Sequence, residues 1–290
     1  MIEDWKNSGN YFSWKGYDIF YKTAESENET LLCLHGFPTS SHDYCKVWDA
    51  LGERFSLAAF DMIGYGFSAK PADFSYTTFD QADVLQALTD HLKIKNLHIL
   101  AHDYGNTITQ ELLARQMEGR LNFEISSNCF LNGALFPETH RPILAQKILL
   151  NPLIGPIFGR LIPEGKFRQS LASVFGAKTQ PTQSEFDDFI SVFRYNGGQK
   201  IAHKLIRYMR EREKYRARWV GALETMQQPF RFINGLEDRV SGAHLVRRFR
   251  EVLPHQRDIV ELEEVGHFPH FEVPAIFLEH FTAFHDRLAG

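Results

Sequence analysis

Short apolar runs punctuate the first half of the chain: "TLLCLH" at 30–35, "SLAAFD" at 56–61, "NLHILAH" at 96–102 and "EISSNCFLN" at 124–132. Between them lie stretches whose apolar residues recur at helical spacing, notably 80–93 and 105–118. Runs so short and so continuously apolar read as buried strands, and their alternation with helices predicts a parallel sheet with covering helices. From about Ala134 to Ala222 the rhythm stops. The chain there reads as helices and Pro/Gly-rich loops, such as "NPLIGPIFGRLIPEG", without a strand-like run. "PFRFING" and "DIVELEE" then restore the strand pattern, with helical patterns at 242–253 and 274–287. The expectation is a sheet domain made of 1–133 and 223–290, interrupted by a helical insertion over 134–222, with no repeat or flexible linker.

Composition narrows the function classes. The 290 residues are 43% hydrophobic, enough for one large domain, and 36 acidic residues against 32 basic leave a net charge of −4 with no Lys/Arg block. Nucleic acid is therefore not an expected partner; a small molecule is. The first residues, "MIEDWKNSGN", lack the basic-then-apolar order of a secretory signal, and no apolar run approaches the ~18 residues of a membrane span. A cytoplasmic protein without a membrane span is expected. Of three cysteines, Cys33 and Cys129 fall in strand-like runs and Cys45 in a helix-like segment, without metal-type spacing; all three are expected to be buried free thiols. There is no Gly-rich phosphate loop and no His/Cys cluster, so neither nucleotide, flavin nor metal is expected, and water is the only cosubstrate needed.

The segment "LAHDYGNT" at 100–107 joins a strand-like run to a helix-like one, with Asp103 at the turn between small residues Ala101 and Gly105. Small neighbours permit the cramped backbone of a nucleophile elbow, here carrying a carboxylate. Asp is also a favoured helix N-cap, so the octapeptide alone leaves both readings open. Three other segments bear on the choice, each at the C-terminal end of a predicted strand, where open α/β sheets bind ligands. "LHGFPTS" places the Phe37 N–H where it can join that of Tyr104 in holding an oxyanion. "FINGLEDRV" carries Asp238 and "EEVGHFPHFEVP" carries His267, so acid and histidine follow the nucleophile in hydrolase order.

Taken together, "HGFP", "DMIGYGFS", "AHDYG", "GLED" and "GHFPHFEVP" resemble the α/β-hydrolase fold, in the branch of epoxide hydrolases and haloalkane dehalogenases. "NGALFPETHRPILAQKIL" and "KYRARWVGAL" further resemble the mesoderm-specific transcript proteins of that branch. The resemblance implies a mostly parallel eight-stranded sheet with flanking helices and an inserted helical cap. It also implies a catalytic triad of Asp103, Asp238 and His267, the family's Gly-x-x-Asp spacing from Gly235 selecting Asp238 over Glu237. A carboxylate attacking an ester yields only an anhydride, whereas at a saturated electrophilic carbon it forms an alkyl ester that water then cleaves. His267 suits deprotonation of that water, and Asp238 suits orienting the imidazole. His35 and His102 are expected to hydrogen-bond backbone, His270 to pack or to bond the cap, and Asp61, Gly64 and Gly66 to form a turn.

The leaving group is read from what surrounds the motifs. Relatives that release halide place a Trp after the nucleophile and an Asn after "HG", or a Trp in the cap; here Tyr104 and Phe37 stand at the first two places and Trp219 is the cap's tryptophan. The fluoroacetate-type "HDRG" is absent. "HGFP" tilts the reading to epoxides, whose oxygen must be protonated as its bond to carbon breaks. In the resembled hydrolases cap tyrosines do this, and Tyr208 occupies a comparable place, with Tyr195 and Tyr215 as weaker candidates. The expected reaction is epoxide hydrolysis to a diol on a small apolar organic substrate. The alternatives are haloalkane dehalogenation and a hydrolase-fold protein that binds a ligand or signals with little turnover.

Overall fold

A computed structural model describes residues 2–289. Its sheet has eight strands: β1 (Asn10–Trp14), β2 (Tyr17–Ala24), β3 (Thr30–Leu34), β4 (Ser56–Phe60), β5 (Asn96–Ala101), β6 (Glu124–Phe130), β7 (Phe230–Gly235) and β8 (Ile259–Leu262). They lie in the order β1-β2-β4-β3-β5-β6-β7-β8. Every neighbouring pair from β4 to β8 is parallel; β1 and β2 run antiparallel to each other, and β2 runs antiparallel to β4.

Six of these strands are the predicted apolar runs; β1 and β2 are additional. They form a hairpin around Lys15 and Gly16, both at positive φ (50° and 81°), a two-residue turn whose twist suits antiparallel strands. In β1 only Phe12 and Trp14 face inward, so its alternating pattern differs from the continuous runs of the central strands. Those central strands are buried on both faces because their side chains alternate. Leu32, Leu34, Phe60, Ile99 and Ala101 enter one core, and Leu31, Cys33, Leu57, Ala59 and Leu100 the other. Cys45 differs from expectation: it lies half-buried just beyond the 3-10 turn Ser41–Tyr44 and is not inside a helix.

Between β6 and β7 the chain is helical throughout, from the short turn Pro137–Thr139 to the helix Arg216–Thr225. This inserted cap is tied to the sheet domain through the helix Tyr104–Met117, which is buried from Tyr104 to Arg115. At its centre the fully buried Glu111 carboxylate accepts from Arg115 Nε (2.9 Å), Arg218 Nε (2.6 Å) and Trp219 Nε1 (2.9 Å), so a charge with no access to water is matched by donors from both units. No helix among the described residues is long and apolar enough to cross a membrane.

Register brings the chemistry to one edge. Leu34 pairs with Ala101, Ala101 with Phe130, and Gly235 with Leu262, so β3, β5, β6, β7 and β8 end side by side. Every loop that leaves those ends opens toward the helical insertion.

Candidate active site

At the end of β5 the backbone reverses at Asp103, whose φ of 47° and ψ of −105° are costly for a residue with a side chain. The turn persists because its neighbours hold it. The Asp103 N–H donates to Asn132 O (2.8 Å), and its carbonyl accepts from Arg212 Nη2 (3.0 Å). Gly105 lets the chain pass close to β3: a Cβ there would lie 2.6 Å from Leu34 O. Although Asp103 sits at the N-cap position, its side chain makes no capping bond. It turns the other way, Oδ1 accepting from the Phe37 N–H (3.1 Å) and Oδ2 lying 3.4 Å from His267 Nε2. Of the two readings the octapeptide left open, the elbow geometry is the one present.

His267 lies beyond β8, its Nδ1 2.6 Å from Asp238 Oδ2. Asp238 is buried and also accepts from Val240 N (2.8 Å), Ser241 N (3.1 Å), Ser241 Oγ (2.5 Å) and Asn132 Nδ2 (3.1 Å). Burial alone would raise both acids; His267's charge and hydrogen bond outweigh it and hold both carboxyls below their ordinary values, helped by Arg212 at Asp103. For His267 burial opposes protonation, but the two flanking carboxylates prevail and raise its pKa to about 10. The backbone of His267 is fixed from two sides: its N–H donates to Val174 O in the insertion (2.9 Å), and its carbonyl accepts from His102 Nε2 (2.8 Å).

Asp103 and His267 floor a cavity of about 70 Å³ closed by Phe37, Leu149, Phe167, Leu171, Val174 and Phe268, side chains from both the sheet domain and the insertion. An apolar chamber over two charged groups suits an uncharged substrate.

Residues 29–143 match the family of the α/β hydrolase fold. The mouse mesoderm-specific transcript protein is 39% identical over 292 residues, covering 98% of this chain and 87% of its own length. The chain belongs to the α/β-hydrolase family. Solved structures of similar fold include an epoxide hydrolase, CorEH (TM-score 0.76, 19% identity, 97% of this chain and 99% of that one). Another is a loop variant of the haloalkane dehalogenase DbeA from Bradyrhizobium elkanii (TM-score 0.76, 21% identity, 98% and 99%).

Tyr208 in this α/β hydrolase is fully buried and outside the residues that line the cavity. Its ring stacks on Tyr104 (centroids 4.3 Å apart) with the Arg212 guanidinium 4.6 Å from its centre. Its hydroxyl has no hydrogen-bond partner among the described residues; burial first, then the charge of Asp103, raises its pKa. Tyr104 itself is paired by its hydroxyl with Thr78 Oγ1 at 3.1 Å. The other two tyrosine candidates also lie outside the cavity lining: Tyr195 packs on Phe67, and Tyr215 on Phe79 and Trp219. Trp219 donates its indole N–H to Glu111 and so faces the core rather than the cavity.

His35 and His102 both bond backbone. Met62 N donates to His35 Nε2 (3.1 Å), which leaves Nδ1 to donate to Gly36 O (2.9 Å). Of the two uses expected for His270, packing is the one present: it stacks on Tyr44 at 4.6 Å and lies edge-on to His102 at 4.9 Å. It forms, with Asp43 and His102, a buried cluster whose donor atoms lie within 4.8 Å of one another, the only such set of three found among the described residues. Burial drives Asp43 well above, and both imidazoles below, their ordinary values.

Four residues of the site went unread in the sequence. Asn132 and Ser241 hold Asp238, Arg212 holds the elbow carbonyl and Thr107 Oγ1 (2.6 Å), and Tyr65 offers a second buried, unpartnered hydroxyl. Tyr65 had a signal in "DMIGYGFS"; Arg212 had none, since 109 positions separate it from Asp103.

Proposed function

We propose that the chain hydrolyses epoxides to diols through a covalent ester on Asp103. The observation that carries this is the acid itself: a carboxylate at the elbow, with one oxygen on the Phe37 N–H and the other toward His267. One carboxylate oxygen attacks a ring carbon while that carbon's bond to the ring oxygen breaks; Tyr208, turned from its stack on Tyr104 into the chamber, supplies the proton this oxygen takes and recovers one from the His267 imidazolium. Water then loses a proton to His267 Nε2 and adds to the ester carbonyl. The Phe37 and Tyr104 amides receive the oxyanion, and collapse releases the diol and restores the carboxylate. Asp238 keeps the imidazole in place. In this reading 134–222 is the cap that closes the apolar substrate chamber over a core made of 1–133 and 223–290, and Cys33, Cys45 and Cys129 as free thiols suit the reducing cytoplasm. The engagement of Trp219 with Glu111 favours epoxide over halide, because it removes an indole donor from the chamber.

A single turnover with enzyme in excess, in heavy-oxygen water, tests the covalent step. The first diol should form with unlabelled oxygen at the attacked carbon, and the label should appear in the Asp103 carboxyl on peptide mapping. Label delivered directly to the diol would mean that Asp103 activates water instead. Halide release from haloalkanes without diol from epoxides would favour the dehalogenase, and no turnover of either would favour a binding protein.

A further inference from the structure

The helix Gly155–Leu161 presents its small residues inward and its large ones outward. Gly155 and Gly159 are buried, and a Cβ on them would meet Leu149 O at 2.2 Å and Gln199 O at 2.7 Å. That close backbone fit turns the bulky side chains to water: Ile157 is 61% exposed and Leu161 73%, with Leu153 at 81% and Ile154 at 55% just before the helix, and Leu144 at 73%. A helix of a water-facing surface has the opposite polarity. Five of the nine large apolar side chains exposed among the described residues thus fall between 144 and 161.

The charge of this face is one-sided. From 139 to 163 the sequence has no Asp or Glu but has Arg141, Lys147 and Arg160, all exposed. The insertion's ion pairs to Glu164 and Asp187 are made by Arg168 and Arg194, not by these three. An open groove beside the face has Arg141, Leu144 and Lys166 in its wall and shares Phe158, Ile162 and Ser170 with the cavity above Asp103. The apolar, cationic face therefore borders a way into the chamber.

We propose that this face docks on an anionic phospholipid surface. Leu153, Ile154, Ile157 and Leu161 enter the headgroup boundary, Arg141, Lys147 and Arg160 meet lipid phosphates, and the groove opens toward the bilayer, without any span. A second copy is a poorer occupant, because two such faces would oppose cations with no acid between them. Passage of a lipophilic substrate from bilayer to chamber rests on the hydrolase reading; docking does not.

Flotation of the full chain with vesicles separates the two. The chain should float with phosphatidylcholine–phosphatidylserine vesicles, less so as salt rises, and little with phosphatidylcholine alone. The triple variant Leu153→Gln, Ile157→Gln, Leu161→Gln should lower the partition on the order of 10-fold or more with an unchanged melting temperature. Lys147→Glu with Arg160→Glu should remove the preference for anionic vesicles. Wild type that stays at the bottom with both vesicles, or a triple variant that floats as well as wild type, overturns the proposal. So does a concentration-dependent dimer that the triple variant abolishes. The readout is position in the gradient, so a chain that floats yet turns over no epoxide leaves docking standing and sinks the epoxide reading alone.

Discussion

Replacing His267 by Gln should convert a transient ester into a stable one. His267 Nε2 lies 3.4 Å from Asp103 Oδ2, and its hydrogen bond and charge are the strongest influences holding that carboxyl low against its burial. Without them the carboxyl rises, while the Phe37 N–H at 3.1 Å and the Arg212 charge remain to favour the ionised form that attacks carbon. The second step loses its base, which is worth on the order of 10²–10⁴ in rate. At a loss of ~10³, about 4 kcal/mol of barrier, the ester fills nearly every site unless it formed a thousandfold more slowly than wild type cleaves it. Intact-protein mass spectrometry after exposure to a reactive epoxide should show one added substrate mass, mapped to Asp103. A second variant carrying Asp103→Asn as well should show none. The reasoning is refuted if wild type makes diol from the same epoxide while His267→Gln never carries an adduct; an adduct on another side chain would relocate the nucleophile.

Three further outcomes are expected. Tyr208→Phe should slow ester formation on the order of 100-fold. It should scarcely alter the melting temperature, since the lost hydroxyl has no partner; an unchanged burst rate would leave Tyr208 as packing for Tyr104. Glu111→Ala should cost about 3–5 kcal/mol by leaving the buried Arg115 Nε and Trp219 N–H without the carboxylate they donate to. For 290 residues this amounts to roughly 5–8 °C in melting temperature, and a shift under ~1 °C would mean that the network contributes nothing. Stability to denaturant should fall on the acid side. The folded pKa of His102 is lowered to about 3, chiefly by burial, so the histidine takes its proton only on unfolding. Its contribution is intact above about pH 6.5 and shrinks toward pH 3, a loss of about 2 kcal/mol at pH 5. His267, raised to about 10, contributes in the opposite sense, fully below about pH 6.5 and progressively less as pH rises through 10. A midpoint that is flat from pH 5 to pH 7 would contradict the assignment of His102 as buried and neutral.

The central strands were legible because a strand buried on both faces is apolar at every position, as in β3 and β5, whereas the hairpin of β1 and β2 shows only one apolar face at the sheet's edge. The triad candidates were legible for a related reason. Each stands within a few residues of a strand's end, so local sequence places it on the ligand-binding edge. Partners that meet across the chain had no such local mark: Arg212 reaches the elbow from the insertion, and Asn132 reaches Asp238 across 106 positions. Within the insertion, spacing alone did not tell which side of a helix faces the core. Tyr195 and Tyr215 therefore stood beside Tyr208 as candidates, and nothing in the segment 153–161 marked its leucines as facing outward.

The suspension of His267 between two carboxylates gives the proposed cycle an internal order. While Asp103 is ionised, the imidazole holds a proton on Nε2 and has no lone pair there to offer water. Formation of the ester erases one of the two negative charges that keep the proton in place, so the base comes into being only with the bond it must help to cleave. The count closes. The opened ring oxygen needs one proton as the imidazolium becomes inclined to release one, and water returns a proton to nitrogen when it attacks. Collapse then restores the same pairing of charges from which the cycle began, and between turnovers the chamber holds no group ready to squander water.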